Sequence, residues 1–374
     1  MTSPAVSSPP ARLESLDALR GFDMLWIVGA DALGGAFAGL KGGVVAHFLA
    51  TQLDHVEWEG FRFYDLIFPL FVFMVGVAIP FSLDRLVAKE GRAAAVRRVL
   101  RRGLLMYVIG LLYYGGMAEG FAHIRLMGVL QRLAICYVGA SLLYLYLKPR
   151  TLAAAGAGLL ILYWALMTFV PVPGFGAGDF APRHNLANWI DTHYLPLRKW
   201  NGDIDPEGLL SSLSAIASCI LGVFGGLLLR SAEKTPMEKI RWLVTGGVAL
   251  VVIGNLWGLQ FPVIKRLWTS SFVCVAGGWS LLLLATFYYL IDVRGWRNWS
   301  RPFVWIGSNA LTIYLVSALV SVGNISARLF GGEIAAALNA LWPGLGGLVL
   351  ALTGIILCVL FCRFLYVRNI FLRL

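Results

Sequence analysis

Apolar runs of about twenty residues alternate with short polar segments along almost the whole chain, and a run of that length spans a bilayer as an α-helix. The pattern predicts about ten helices, at roughly 17–38, 63–83, 103–118, 127–147, 151–171, 209–230, 242–260, 269–291, 303–322 and 343–362. The third is short and carries Gly110, so residues 110–120 also fit a re-entrant turn. No stretch of domain length lacks such runs, and no fixed-period repeat organises them. The expected fold class is therefore all-α, a polytopic membrane helical bundle, with residues 13–374 a single transmembrane domain. Residues 1–12, rich in Ser, Pro and Ala, are expected to be a disordered tail. Ala36-Phe37-Ala38 resembles a signal-peptidase site, but Arg20, Asp23 and Asp31 precede it where a signal-peptide core is apolar, so the first helix is read as retained.

Composition agrees with a membrane protein: 59% of the 374 residues are hydrophobic and only 14% are charged. The formal net charge of +11 does not point to nucleic acid, because the cations cluster between apolar spans rather than on one soluble face. With a cytoplasmic N-terminus, the clusters at 85–102, 148–150, 230–241, 294–301 and 363–373 all fall inside, as the positive-inside rule requires. Both termini are then cytoplasmic. The loops 39–62 and 172–208, and all five histidines (His47, His55, His123, His184, His193), fall on or near the outer face. Cys136, Cys219, Cys274, Cys358 and Cys362 lie in or beside apolar spans without metal spacing and read as small buried hydrophobes. Glycines in the spans read as close-packing positions.

Ionisable residues inside spans are costly and so are candidates for function. Asp17, Arg20 and Asp23 share the start of the first helix, where Asp17 and Arg20 are spaced to pair. Asp31, deeper in that helix, must pair, protonate or line a wet cavity. Arg125, Gln131 and Arg132 open the fourth predicted span. Arg125 and Arg132, seven residues apart, suit phosphate or carboxylate binding, and an internal ion pair, for example with Asp65, competes with that reading. Asp205-Pro206-Glu207-Gly208 reads first as a helix start and second as a cover over a polar substrate. His55 stands in a loop among Asp54, Glu57, Glu59, Arg62 and Asp65, where it is either a solvated side chain or a general base oriented by a carboxylate. The chain has no G-x-x-x-x-G-K-[ST], H-E-x-x-H or C-x-x-C motif, so nucleotide hydrolysis, zinc peptidase and thiol redox chemistry lack their parts, and no metal is indicated.

Seven segments in order carry a resemblance: Ser15 to Gly21 (SLDALRG), His55-x-x-Trp58-x-Gly60, Asp65 to Pro69 (DLIFP), Arg125-x-x-Gly128 to Leu133, Asp205 to Gly208, Leu267 to Ser270 and Gly307-x-Asn309. Together they resemble the transmembrane acyltransferases related to heparan-alpha-glucosaminide N-acetyltransferase, a family with bacterial members. The resemblance implies a multi-pass protein of the bacterial cytoplasmic membrane. It would use acetyl-CoA from the cytoplasm as cosubstrate, without a tightly bound cofactor, and acetylate an amino sugar or other glycan acceptor on the far side. It also implies that His55 is catalytic. Arg20, Arg125, Arg132 and Gln131 are then expected toward acetyl-CoA, and Asp31, Trp58, Asp65, Asp205 and Glu207 toward the acceptor. Membrane lipids are expected partners, nucleic acid is not, and a homo-oligomer is left open. In the lysosomal enzyme an asparagine occupies the place of Asp31. An aspartate there can grip a protonated amine, or the acceptor can be a hydroxyl. The rival reading is a transporter of a sugar or lipid-linked intermediate, with Asp31, Arg125 and Arg132 lining its path, and a structural membrane protein without chemistry is a third.

Overall fold

The computed structural model describes residues 13–372 apart from 117 and 119, so the expected tail at 1–12 lies outside the described residues. Each apolar run forms a helix: α1 (Glu14–Gly39), α2 (Val44–Gln52), α3 (Phe63–Glu90), α4 (Arg92–Tyr113), α5 (Val129–Tyr146), α6 (Pro149–Phe169), α7 (Leu186–Tyr194) and α8 (Ser212–Arg230). The series continues with α9 (Pro236–Gly258), α10 (Ser270–Phe287), α11 (Arg301–Ser308), α12 (Ala310–Leu319), α13 (Val322–Phe330), α14 (Glu333–Leu341) and α15 (Leu345–Val367). Among the described residues, seven helices are long and apolar enough to cross a membrane: α3, α5, α6, α8, α9, α10 with its π-helical extension to Val293, and α15. The fold is an all-α polytopic bundle, as the hydropathy pattern predicts, but with seven such helices among the described residues where the pattern predicts about ten spans.

Three boundaries differ from expectation for physical reasons. Helix α4 starts at Arg92, well before the predicted 103, because a helix emerging from the bilayer continues through a basic, solvated turn. The predicted span 303–322 is instead two helices broken at Asn309. Residues 205–208 are not a helix start, since α8 begins at Ser212. The caps that do form follow ordinary chemistry: Asn185 Oδ1 accepts from Asn188 N at 2.9 Å at the start of α7, and Thr235 and Glu238 form a capping box on α9.

Glycine sets the tightest helix pairs. A β-carbon on Gly21 of α1 would overlap the Phe303 carbonyl, and one on Gly307 of α11 would overlap the Asp17 carbonyl. Gly76 and Gly222 bring α3 and α8 together in the same way, and Gly247 and Gly278 do so for α9 and α10. The π-helical turn after α10 supplies Asp292, which accepts from the backbone N–H groups of Glu14 and Ser15 at 3.2 and 3.3 Å and so caps α1 from outside. All five cysteines are buried and free, as expected.

The connections alternate between two ends of the bundle. One end holds the basic segments; the other holds the histidines and the long 170–211 loop, part of which is packed. There Trp58, Phe180, Phe261, Tyr163, Met167 and Leu186 belong to a small second core under the 170–211 loop.

Candidate functional site

The H-x-x-W-x-G segment is held by two bonds to remote parts of the chain. Gly60, at φ +123, donates its N–H to the Val263 carbonyl at 2.9 Å, a backbone geometry that a side chain would strain. Trp58 donates its indole N–H to the Phe180 carbonyl at 3.0 Å. The indole faces the second core, so Trp58 anchors the loop rather than lining open space. The bond to Val263 draws the turn 265–267 alongside His55, and Lys265 Nζ comes within 3.0 Å of Nδ1 and 3.3 Å of Nε2.

Asp65 organises this corner. It lies in the first turn of α3, accepts from the N–H groups of Arg62 and Val56 at 3.1 and 3.3 Å, and meets His55 Nδ1 at 2.9 Å. Lys265 Nζ is 3.5 Å away. Pro69 lacks the N–H that would bond the Asp65 carbonyl four residues earlier, which gives the D-L-I-F-P spacing a backbone consequence. The Asp65 side chain is 1% exposed and the His55 ring 45% exposed, so the carboxylate is fixed while the imidazole reaches solvent. Tyr64 stacks on the imidazole at 4.4 Å and 3°, and Arg62 holds the His55 carbonyl at 3.0 Å. With Nδ1–H donating to Asp65, Nε2 carries the lone pair, with Lys265 Nζ 3.3 Å from it. Burial lowers the Lys265 ammonium from its ordinary range, with Asp65 opposing. Asp31, expected as an isolated deep carboxylate, is instead exposed at this end, close to the Tyr64 hydroxyl and acting on Lys265.

A second cluster lies at the same end. Arg125 precedes α5, so it does not share a helix face with Arg132. Its guanidinium binds Asp205 through Nε and Nη2 at 2.8 and 2.6 Å and Glu207 through Nη2 at 2.5 Å, sandwiched between Tyr114 at 4.4 Å and Trp200 at 4.8 Å. Asp205 and Glu207 thus serve Arg125, and the ion pair weighed for Arg125 with Asp65 does not form. Burial pushes the Glu207 carboxyl up to about 7 against the pull of Arg125. Arg132, fully buried, donates to the Gly208 carbonyl at 3.0 Å and to Ser211 Oγ, and lies over Trp268. Its Nε and Nη1 have no partner among the described residues, nor has Gln131 Oε1, while Gln131 Nε2 donates to the Arg125 carbonyl at 3.2 Å. Asp191 of α7 accepts from Leu209 N at 2.9 Å, and burial pushes its carboxyl up to about 6.

Arg20 is not part of either cluster. It pairs with Asp17 at 3.3 Å near the basic end of α1, so the three arginines expected together toward one ligand are divided between the two ends. Asp23 is fully buried, and its carboxylate oxygens have no hydrogen-bond partner among the described residues. The structure therefore unites His55, Asp65 and Asp31, and adds Lys265 and Tyr64, which sequence reasoning missed. One signal for Lys265 was available: it is a cation in a loop that charge bias assigns to the less basic side.

These features define a polytopic membrane protein with a carboxylate, imidazole and ammonium meeting at one end of its bundle. A domain of unknown function, DUF5009, matches residues 12–174. The chain is similar to human heparan-alpha-glucosaminide N-acetyltransferase, 28% identical over 368 aligned residues that cover 83% of this chain and 53% of the relative. The mouse protein of the same name is 24% identical over 81% of this chain and 53% of its own length. The chain spans about half the length of these curated relatives. These similarities agree with the resemblance carried by its seven motifs to heparan-alpha-glucosaminide N-acetyltransferase-like proteins.

Proposed function

We propose that this protein is a membrane acyltransferase that takes an acetyl group from acetyl-CoA and passes it to the amine of an amino sugar or related glycan, with His55 as the catalytic base. The basic end faces the cytoplasm and the histidine end faces the opposite compartment. The observation that carries the reading is the contact at 2.9 Å between Asp65 and His55 Nδ1, on a half-exposed ring with Lys265 Nζ 3.3 Å from Nε2.

The chemistry follows from that arrangement. The acceptor nitrogen attacks the thioester carbonyl, its proton passes to Nε2, and the C–S bond breaks as the thiolate leaves with that proton. Asp65 holds the reactive tautomer and stabilises the imidazolium. The Lys265 ammonium stands where it can face the oxyanion of the tetrahedral intermediate. Asp31 is placed to attract a protonated amine toward this corner.

Purified protein incubated with acetyl-CoA labelled in the acetyl group and a panel of amino sugars tests the reading. Label recovered in a sugar supports it. Sugar uptake by proteoliposomes with no label transferred identifies a transporter instead.

A further inference from the structure

At the opposite end of the bundle a cavity of about 300 Å³ opens between the last turns of α3 and the first half of α4. Arg85 and Lys89 line it from α3, Arg98 and Arg102 from α4, with Glu90 as the one carboxylate in the lining and Tyr137 of α5 against its inner side. Arg98 and Arg102, four residues apart, share a helix face. None of the four cations forms an ion pair among the described residues. The nearby Asp84 is taken by Arg230 and by the Tyr144 hydroxyl. Tyr137 is 4% exposed with the Arg102 guanidinium 5.1 Å over its ring, and among the described residues neither its hydroxyl nor the buried Nε of Arg102 has a hydrogen-bond partner of ordinary geometry. A buried donor without an acceptor is costly, and here two of them meet unpaired cations around one space.

The positive-inside rule accounts for cations in this connection, and the C-terminus of α3 favours a cation nearby, but neither requires a cavity lined by four of them with unpaired donors at its wall. We infer that the cavity binds the phosphate groups of a phosphate-rich ligand; on the acyl-transfer reading above, on which this part rests, they are the phosphates of the acyl-CoA donor. Several guanidinium groups and an ammonium around a polyanion supply the charge-assisted hydrogen bonds that Arg125 and Arg132, held internally at the far end, do not offer to a ligand entering here.

The test measures coenzyme A binding by calorimetry in neutral phosphatidylcholine nanodiscs. The double variant Arg98→Gln/Arg102→Gln is expected to weaken coenzyme A binding at least about tenfold, and inorganic pyrophosphate to compete in the parent. Arg98→Lys/Arg102→Lys, which keeps the charge, should retain most of the affinity, and Tyr137→Phe, which keeps the ring, should lose a few-fold. An unchanged melting temperature shows that the variants fold. Unchanged coenzyme A affinity in the glutamine variant overturns the site. So does a loss confined to retention of phosphatidylglycerol, which would make it a lipid-headgroup site. Coenzyme A binding that depends on these residues, without label transfer to any sugar, upholds the cavity and rejects the acyl-transfer reading. Transfer with unchanged binding in the variants does the reverse.

Discussion

His55 and Asp65 differ in what their loss should do, because one is half exposed and the other is buried in a web of backbone bonds. His55→Ala is expected to keep the parental melting temperature and to lose about 10²–10⁴ in turnover, the usual contribution of a general base. Asp65→Asn should lose a comparable factor and lower stability, because its single oxygen cannot accept from the Val56 and Arg62 amides and from His55 Nδ1–H at once. Parental turnover in the His55 variant would place the base elsewhere. At Asp191 the prediction concerns pH. Its folded value near 6 lies above the ordinary 3.8, so the folded state binds more protons than the unfolded one between those values. Stability from this group is therefore complete below about pH 4 and falls as pH rises toward 6, by about 3 kcal/mol in all. Asp191→Asn keeps an acceptor for Leu209 N and removes the titration. Its melting temperature should depend less on pH from 4 to 6 than the parent's, and identical slopes would disprove the assignment.

Among the elements, the 205–208 turn and the residues before α5 form one unit through Arg125. Arg125→Met leaves Asp205 and Glu207 buried without their cation and should cost about 3–5 kcal/mol. Adding Asp205→Asn and Glu207→Gln should recover much of that loss, measurable as a melting temperature in detergent. A triple variant no more stable than Arg125→Met would show that the arginine acts through its packing between Tyr114 and Trp200. This unit also marks the limit of what the sequence made legible. Helices were readable because twenty apolar residues leave the backbone little choice in lipid, and Asp17 pairs with Arg20 because three residues of helix place them together. The partners of Arg125 lie eighty and more residues away, and Lys265 lies 210 residues from His55, so no spacing encodes either contact. Asp31 was read as deep from its place in an apolar run, whereas tertiary packing leaves that stretch of α1 open at the histidine end. The break at Asn309 is not legible in the sequence because a single Asn inside an apolar run is too small an interruption to end a span.

For the whole molecule, the separation of a histidine end from a basic end is the property on which the proposed reaction depends. Single cysteines replacing Gly91 and Arg297, in a background lacking the five native cysteines, should react with an impermeant thiol reagent only after the membrane is opened. One replacing Gly178 should react in intact cells. The opposite pattern would invert the assignment of both ends. A separate consequence attaches to the cap on α1. Its amide groups wait for Asp292, 278 residues further along, and its close packing partner is α11. At ordinary rates of synthesis, that interval lasts on the order of 14 to 56 seconds. During it, α1 stands with its amino end uncapped and its glycine-lined groove uncovered. Helix α1 is therefore completed only once Asp292 and α11 have been made, and a product stopped after α9 should be a substrate for membrane quality control however well its own helices have inserted.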